Sequence, residues 1–377
     1  MPQPSTEASQ HSERLARVIV DEIAASGGWI SFARYMELAL YAPGLGYYSA
    51  GAEKFGSAGD FVTAPHLSPL FARCLARQIS QVLSITSGNI LEVGAGTGKL
   101  ACDLLSELET HNAAPTHYFI LEVSSDLRSR QQASIGMLPK MLAQRVQWLD
   151  KLPQHFAGMI LANEVFDALP VHVVAWRSKG LYERGVAFAD GKFHWEERPL
   201  DKGELFNAAS TLNVVADYVS EIHLAARGLM RSLAALLDQG VILVSDYGFG
   251  AAEYYHPQRN QGTLMCHYRQ QAHDDPFYRP GLQDVTSHVN FSALAESAEE
   301  LRLLGYTTQT QFLVNCGITE ILGETAPDDA AYLPLVSAAQ KLLSPAEMGE
   351  LFKALAVGKG IPDKLLGFMK GDKSRML

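Results

Sequence analysis

The chain has 377 residues, 47% of them hydrophobic and only 19% charged, which is enough apolar material for a sizeable core and argues against a largely disordered protein. With 31 Lys plus Arg against 41 Asp plus Glu, the net charge is -10. No basic run appears, so nucleic-acid binding through phosphate neutralisation is disfavoured. Four dispersed cysteines, Cys74, Cys102, Cys266 and Cys316, form neither a disulfide framework nor a zinc pattern. No apolar run reaches the ~18 residues of a membrane span. The first apolar cluster is broken by Arg17, Asp21 and Glu22, unlike a signal-peptide core, so a soluble cytoplasmic protein is expected.

In chain order, residues 1–12 read as a frayed polar start. Leu15, Val18, Ile19 and Ile23 share a helical face that ends at Gly27-Gly28, and a second helix is expected from Ser31, its N-cap, to Leu40. Residues 43–66 are rich in glycine and aromatics and too long for an idle connection, so they are expected to serve a site. A helix follows at 68–83. From Asn89 the pattern alternates: strand 89–93, helix 100–109, strand 118–122, helix 126–132, then strands 145–148 and 158–162. Such alternation predicts a parallel sheet covered by helices on both faces. After Pro170 three β-rich segments joined at Lys179-Gly180 and Asp190-Gly191 predict an antiparallel meander. A helix over 212–237, a strand over 241–245, an irregular aromatic stretch over 248–291, a helix over 292–304, a strand over 307–315 and a helical C-terminus complete the reading.

The most informative stretch is Ile90-Leu91-Glu92-Val93-Gly94-Ala95-Gly96-Thr97-Gly98-Lys99. Strand, glycines and helix in that order bring backbone N–H groups against a ligand at a helix N-terminus. A dinucleotide fingerprint needs a small residue at position 99, where Lys99 stands. Glu92 followed by Gly94, Gly96 and Gly98 is instead similar to the first motif of class I methyltransferases dependent on S-adenosyl-L-methionine (SAM). That ligand carries an ammonium and a sulfonium but no phosphate, so a carboxylate at the strand end suits it. Glu122, beside Val123 at the next strand end, is placed to accept from two ribose hydroxyls, and Leu149 and Asp150 at the third to flank an adenine. The fourth strand ends in Asn163-Glu164-Val165-Phe166-Asp167. Reacting groups gather at such strand ends, and Glu164 and Asp167, three apart, could clamp a guanidinium by paired charge-assisted hydrogen bonds. Equally, Glu164 could bind a backbone amide and Asp167 cap a helix.

With these residues in view the chain resembles the MidA family, whose mitochondrial members methylate protein arginine. The resemblance runs from about Tyr35 to Gly367 through GDFVTAP (59–65), LEVGAGTG (91–98), ANEVFDALPV (162–171), SDYG (245–248), GTLMCHYR (262–269) and DDPFYRPGLQDVTSHVNF (274–291). It implies a doubly wound Rossmann-like α/β core with an N-terminal helical region and an α+β insertion. The expected divisions are 1–85 (helical, with a cofactor-capping loop), 86–170 (first part of the SAM-binding core) and 171–240 (meander and helix). The rest divides into 241–320 (completion of the sheet with a substrate-side loop) and 321–377 (helical). It further implies that Gly59, Asp60 and Thr63 fold over the cofactor while Asp284, Thr286 and His288 approach from the insertion; His288 could hold substrate or relay a proton, with a structural hydrogen-bonding role the stronger alternative for a lone histidine. Asn290 stands where the family commonly has Asp, which removes a charge-based role there. Tyr254, Tyr255 and Tyr268 could line a peptide groove, with a core role favoured, and His256, His267 and His273 lack metal spacing. The expected function is methyl transfer from SAM to arginine of a partner protein, a respiratory-complex subunit being one candidate partner. The alternatives are a small-molecule or other side-chain acceptor, or a SAM-binding assembly chaperone. Oligomeric state is left open.

Overall fold

Asn89–Val93 (β1) buries four successive side chains, as a strand covered on both faces must. In the computed structural model, which describes residues 2–50, 63–86, 88–362 and 364–377, this strand lies at the middle of a mixed sheet. The main path of the sheet also takes in His117–Leu121 (β2), Val146–Leu149 (β3), Phe156–Asn163 (β4), Leu237–Phe249 (β5), Arg302–Thr308 (β6) and Phe352–Lys359 (β7). The spatial order is β3-β2-β1-β4-β5-β7-β6. Strands β3 to β5 run parallel, whereas β7 inserts antiparallel between β5 and β6, Leu355 pairing with Val244 on one side and Tyr306 on the other. The order 3-2-1-4-5 is that of a doubly wound fold, whose ligand crevice lies outside the carboxyl ends of β1 and β4, where the strand order reverses. This is the Rossmann-like class I methyltransferase fold expected from the sequence.

These strands belong to a unit made of Val62–Val165, Leu229–Gly250 and Phe291–Leu377. Helices Leu70–Leu83 and Lys99–Thr110 set Leu70, Leu75, Ile79, Leu104 and Leu108 against Ile90, Tyr118 and Met159 of the sheet in one apolar core. The second unit comprises Met1–Phe61, Phe166–Gly228 and Ala251–Asn290. Helices Thr6–Ala25 and Phe32–Tyr41 pack there on an antiparallel sheet of Trp29–Ser31, His172–Arg177, Gly180–Ala189, Lys192–Pro199 and Tyr218–Ile222. The meander expected after Pro170 is present, and Asp190 and Gly191 both take positive φ, as a tight two-residue hairpin requires. A small sheet of Met265–Tyr268, Gln271–His273 and Asp284–Thr286 organises the aromatic stretch.

Several expectations need correcting. The first helix begins at Thr6, where the Ser5 hydroxyl accepts from the Ala8 amide, rather than after a frayed start. The helix read over 212–237 is a strand, Tyr218–Ile222, followed by the helix Leu224–Leu236. The helix at 292–304 stops at Ser297, and the segment read as strand over 307–315 is strand only to Thr308, then helix Gln309–Asn315. The C-terminal region, read as helices and loops, contributes β7, buried from Phe352 to Gly358. The core role favoured for the three tyrosines needs no such change: Tyr254 and Tyr268 are buried and Tyr255 half-buried in the second unit.

Candidate active site

The chain leaves β1 through Gly94, Gly96 and Gly98, with φ of 65°, 53° and 81°. At Gly94 an added Cβ would lie 3.1 Å from Val165 Cγ2, and at Gly98 one would lie 3.2 Å from Gln131 Cα. The turn is therefore both left-handed and closely backed from within its unit, so a side chain at 94 or 98 would be strained in its backbone and tight against its neighbour. Around Gly96 an added Cβ meets nothing within 4 Å among the described residues, which leaves the backbone face that a ligand lying against the turn requires. Ala95 is buried, and the Thr97 carbonyl accepts from the Ser134 hydroxyl at 2.9 Å.

Beneath this turn, Glu92 is 2% exposed and accepts from the Tyr118 hydroxyl at 2.8 Å. Burial pushes its carboxyl up to about 7, Tyr118 opposing and Glu122 adding to the rise. At the end of β2 the Glu122 carboxylate accepts from the Ser124 amide on one oxygen and from Gln131 Nε2 on the other, both at 2.9 Å. Val123 beside it is 82% exposed, an apolar surface next to a carboxylate, which suits a nucleoside. At the end of β3 Leu149 is half-buried. Asp150, expected to accept from an adenine, is exposed, and its Oδ1 pairs with Arg128 at 2.6 Å.

At the end of β4 Glu164 takes φ of 53°, a left-handed conformation uncommon outside glycine. Its amide donates to the Ser245 carbonyl at 2.8 Å, and the next amide, of Val165, donates to Asp246 Oδ2 at 3.1 Å. Asp246 is wholly buried and also accepts from the Tyr247 amide at 2.9 Å. The Glu164 side chain receives the Ala64 amide on Oε1 at 3.2 Å and Asn163 Nδ2 at 3.3 Å, so one of the two roles weighed for it, binding a backbone amide, is realised. Asn163 Oδ1 is buried without a hydrogen-bond partner among the described residues, an acceptor suited to a donor from a ligand.

The turn that delivers Ala64 also reaches the glycine loop. His66 Nδ1 meets Thr63 Oγ1 at 2.8 Å and Nε2 meets Thr97 Oγ1 at 3.1 Å, while burial and then Lys99 lower the imidazole's pKa. Of the loop residues implied to fold over the cofactor, Thr63 is thus tied to the glycine turn through His66, whereas Gly59 and Asp60 lie outside the described residues.

The chain divides between Val165 and Phe166, so Asp167, Asp284, Thr286 and His288 belong to the second unit. There the Asp167 carbonyl accepts from the Ser287 amide at 3.0 Å, and both oxygens of Asp284 accept from the Tyr48 hydroxyl at 3.1 Å. Thr286 is buried in its strand. The His288 amide donates to Thr263 Oγ1 at 3.1 Å. Its neighbour Ser287 meets the buried His223 at 3.2 Å, and desolvation lowers that imidazole to about 4. Asn290, buried, donates to the Tyr255 hydroxyl at 3.4 Å, a neutral contact in keeping with the missing charge.

Three residues of this arrangement escape a sequence reading. Asp246 stands in the SDYG motif at a strand end and could have been found by that position. His66 and Gln131 have no local signal, because their significance lies in contacts 31 and 35 residues away.

A doubly wound sheet with a left-handed glycine turn at its switch point and a carboxylate at the next strand end defines a class I methyltransferase, with SAM as its cofactor. Residues 72–307 match the family described as "Putative S-adenosyl-L-methionine-dependent methyltransferase", and the chain belongs to that family, the MidA methyltransferases. A Burkholderia thailandensis protein solved bound to S-adenosyl-homocysteine is 49% identical, with a TM-score of 0.96 over 100% of both chains. A zebrafish (Danio rerio) relative, "Protein arginine methyltransferase NDUFAF7, mitochondrial", is 27% identical over 94% of this chain and 89% of its own. Its homolog in Drosophila melanogaster is 26% identical over 96% of this chain and 88% of its own.

Proposed function

We propose that this methyltransferase acts on the guanidinium of an arginine in a partner protein. The observation that carries the reading is Glu164. Its backbone is held left-handed at the end of β4 by Ser245 and Asp246, and its carboxylate is fixed by the Ala64 amide. A carboxylate so placed at the ligand edge of the sheet pairs with a guanidinium through charge-assisted hydrogen bonds and fixes which nitrogen is presented. When bound, SAM would supply the electrophilic methyl group, its S–CH3 bond breaking as the N–C bond forms and S-adenosyl-homocysteine leaving as the neutral thioether. Glu164 aligns the attacking nitrogen, favours electron density on it, and accepts the proton that it loses as the new N–C bond forms. The zebrafish and fly relatives, named as protein arginine methyltransferases, support the same acceptor class. A respiratory-complex subunit is the first partner to try, because the family resemblance points there.

The test is transfer of labelled methyl from SAM into proteins of host extract, followed by acid hydrolysis and identification of the labelled amino acid. Methylarginine is expected. Glu164→Gln should lower turnover by about 10²–10⁴-fold while leaving S-adenosyl-homocysteine affinity within about threefold. Label recovered in a small molecule or a different amino acid would overturn the reading.

A further inference from the structure

We propose that Gln131 is the positioning residue that aims Glu122 at the two ribose hydroxyls of the cofactor, and so sets the enzyme's preference for a ribonucleoside. Gln131 lies within helix Ser125–Gly136 and is wholly buried. Its one side chain reaches three strand ends. Nε2 donates to the Gly96 carbonyl and to Glu122 Oε2, both at 2.9 Å, and Oε1 accepts from Trp148 Nε1 at 3.0 Å. An indole N–H can only donate, so Trp148 dictates which way round the amide lies: its oxygen faces β3 and its NH₂ faces β1 and β2.

This arrangement has a consequence for Glu122. One of its oxygens is held by the Ser124 amide and the other by Gln131, which fixes the plane of the carboxylate. A carboxylate plane fixed in this way suits two vicinal hydroxyls. The same amide holds the carbonyl of Gly96, the residue whose backbone face a ligand lying against the turn requires, and Gln131 Cα backs Gly98. A packing role alone would be met by any side chain of similar volume. A fully engaged amide joining the glycine turn, the acidic strand end and the third strand is a device for orientation.

The inference rests on the cofactor and not on the identity of the acceptor, so it survives or fails separately from arginine methylation. The test is calorimetric titration of wild type, Gln131→Met and Gln131→Glu with S-adenosyl-homocysteine and with its 2′-deoxy and 3′-deoxy analogues. Wild type should prefer the parent ligand by about tenfold to a hundredfold, the range for hydrogen bonds to a charged group. In Gln131→Met the parent should weaken by about tenfold or more, and its advantage over the deoxy analogues should shrink to within about threefold. Gln131→Glu, equal in size but unable to donate when ionised, should behave alike. Trp148→Phe provides a milder variant should position 131 not tolerate change, and it too should erode the advantage. A wild type indifferent to the hydroxyls, or variants that lose affinity for all three ligands equally, would overturn the proposal.

Discussion

Glu92 shows how one side chain can lend the molecule a pH dependence. Its carboxyl is raised by burial from an ordinary value of 4.5 to about 7. A group whose pKa is higher in the folded state gives stability that is fully present below the unfolded value and is lost as pH rises through the folded one. The window is therefore pH 4.5 to 7, and the loss across it is about 3 kcal/mol at most. Denaturant unfolding at a series of pH values should show wild type losing stability across that window, whereas Glu92→Gln, which keeps an acceptor for Tyr118 without an ionisable group, should lack this component. Equal slopes in the two proteins would show that Glu92 is not its source. The residue was visible in the sequence as an acidic group before a glycine turn, but its burial was not. Nothing local announces that Tyr118, 26 residues on, will take its oxygen.

At the scale of elements, legibility followed how local the cause was. β1, the glycine turn and the helix after it were readable because strand, left-handed turn and helix start are each determined by neighbours in sequence. Tyr218–Ile222 was misread because Glu221 looks like the polar side of a helix. It is in fact a buried carboxylate satisfied by the Thr263 and Leu264 amides and the Tyr254 hydroxyl, partners 33 to 43 residues away. β7 was missed because a strand covered on both faces has no alternation to distinguish it from a buried helix. Backbones approach closely in this part of the sheet: an added Cβ at Gly358 on β7 would stand 2.4 Å from the Gly240 carbonyl oxygen on β5. Gly158, Gly240 and Gly358 lie on β4, β5 and β7, and an added Cβ at Gly240, with φ of 137°, would stand 1.9 Å from the Gly158 carbonyl oxygen. Gly240→Ala should therefore destabilise the protein by roughly 2–4 kcal/mol through backbone strain and overpacking. Thermal and denaturant unfolding would read this directly, and a change within about 0.5 kcal/mol, as expected of an unconstrained surface position, would contradict the close approach.

For the whole molecule, the division of the chain determines where cofactor binding should be felt. Gly94, Gly96, Gly98, Glu122, Asn163, Glu164 and the His66 turn all belong to the unit built on the doubly wound sheet. A ligand that binds only the folded form stabilises it by mass action, about 2.7 kcal/mol at a hundred times the dissociation constant. Openings that destroy the ligand site are suppressed by that amount, and openings that leave it intact are not. Hydrogen exchange with saturating S-adenosyl-homocysteine should consequently slow at 94–98, at 122–124 and at 63–67, and change little in the meander over 172–199. Gly96→Arg supplies the control: its side chain would occupy the face of the turn, so the binding heat and the protection should vanish, while exchange without ligand rises only in the turn itself, where φ of 53° strains any side chain, and stays as in wild type elsewhere. Protection of equal size in the meander would mean that it opens only when the ligand site does, so that the two units lose their structure together. Protection absent from the glycine turn would remove the turn from the binding site altogether.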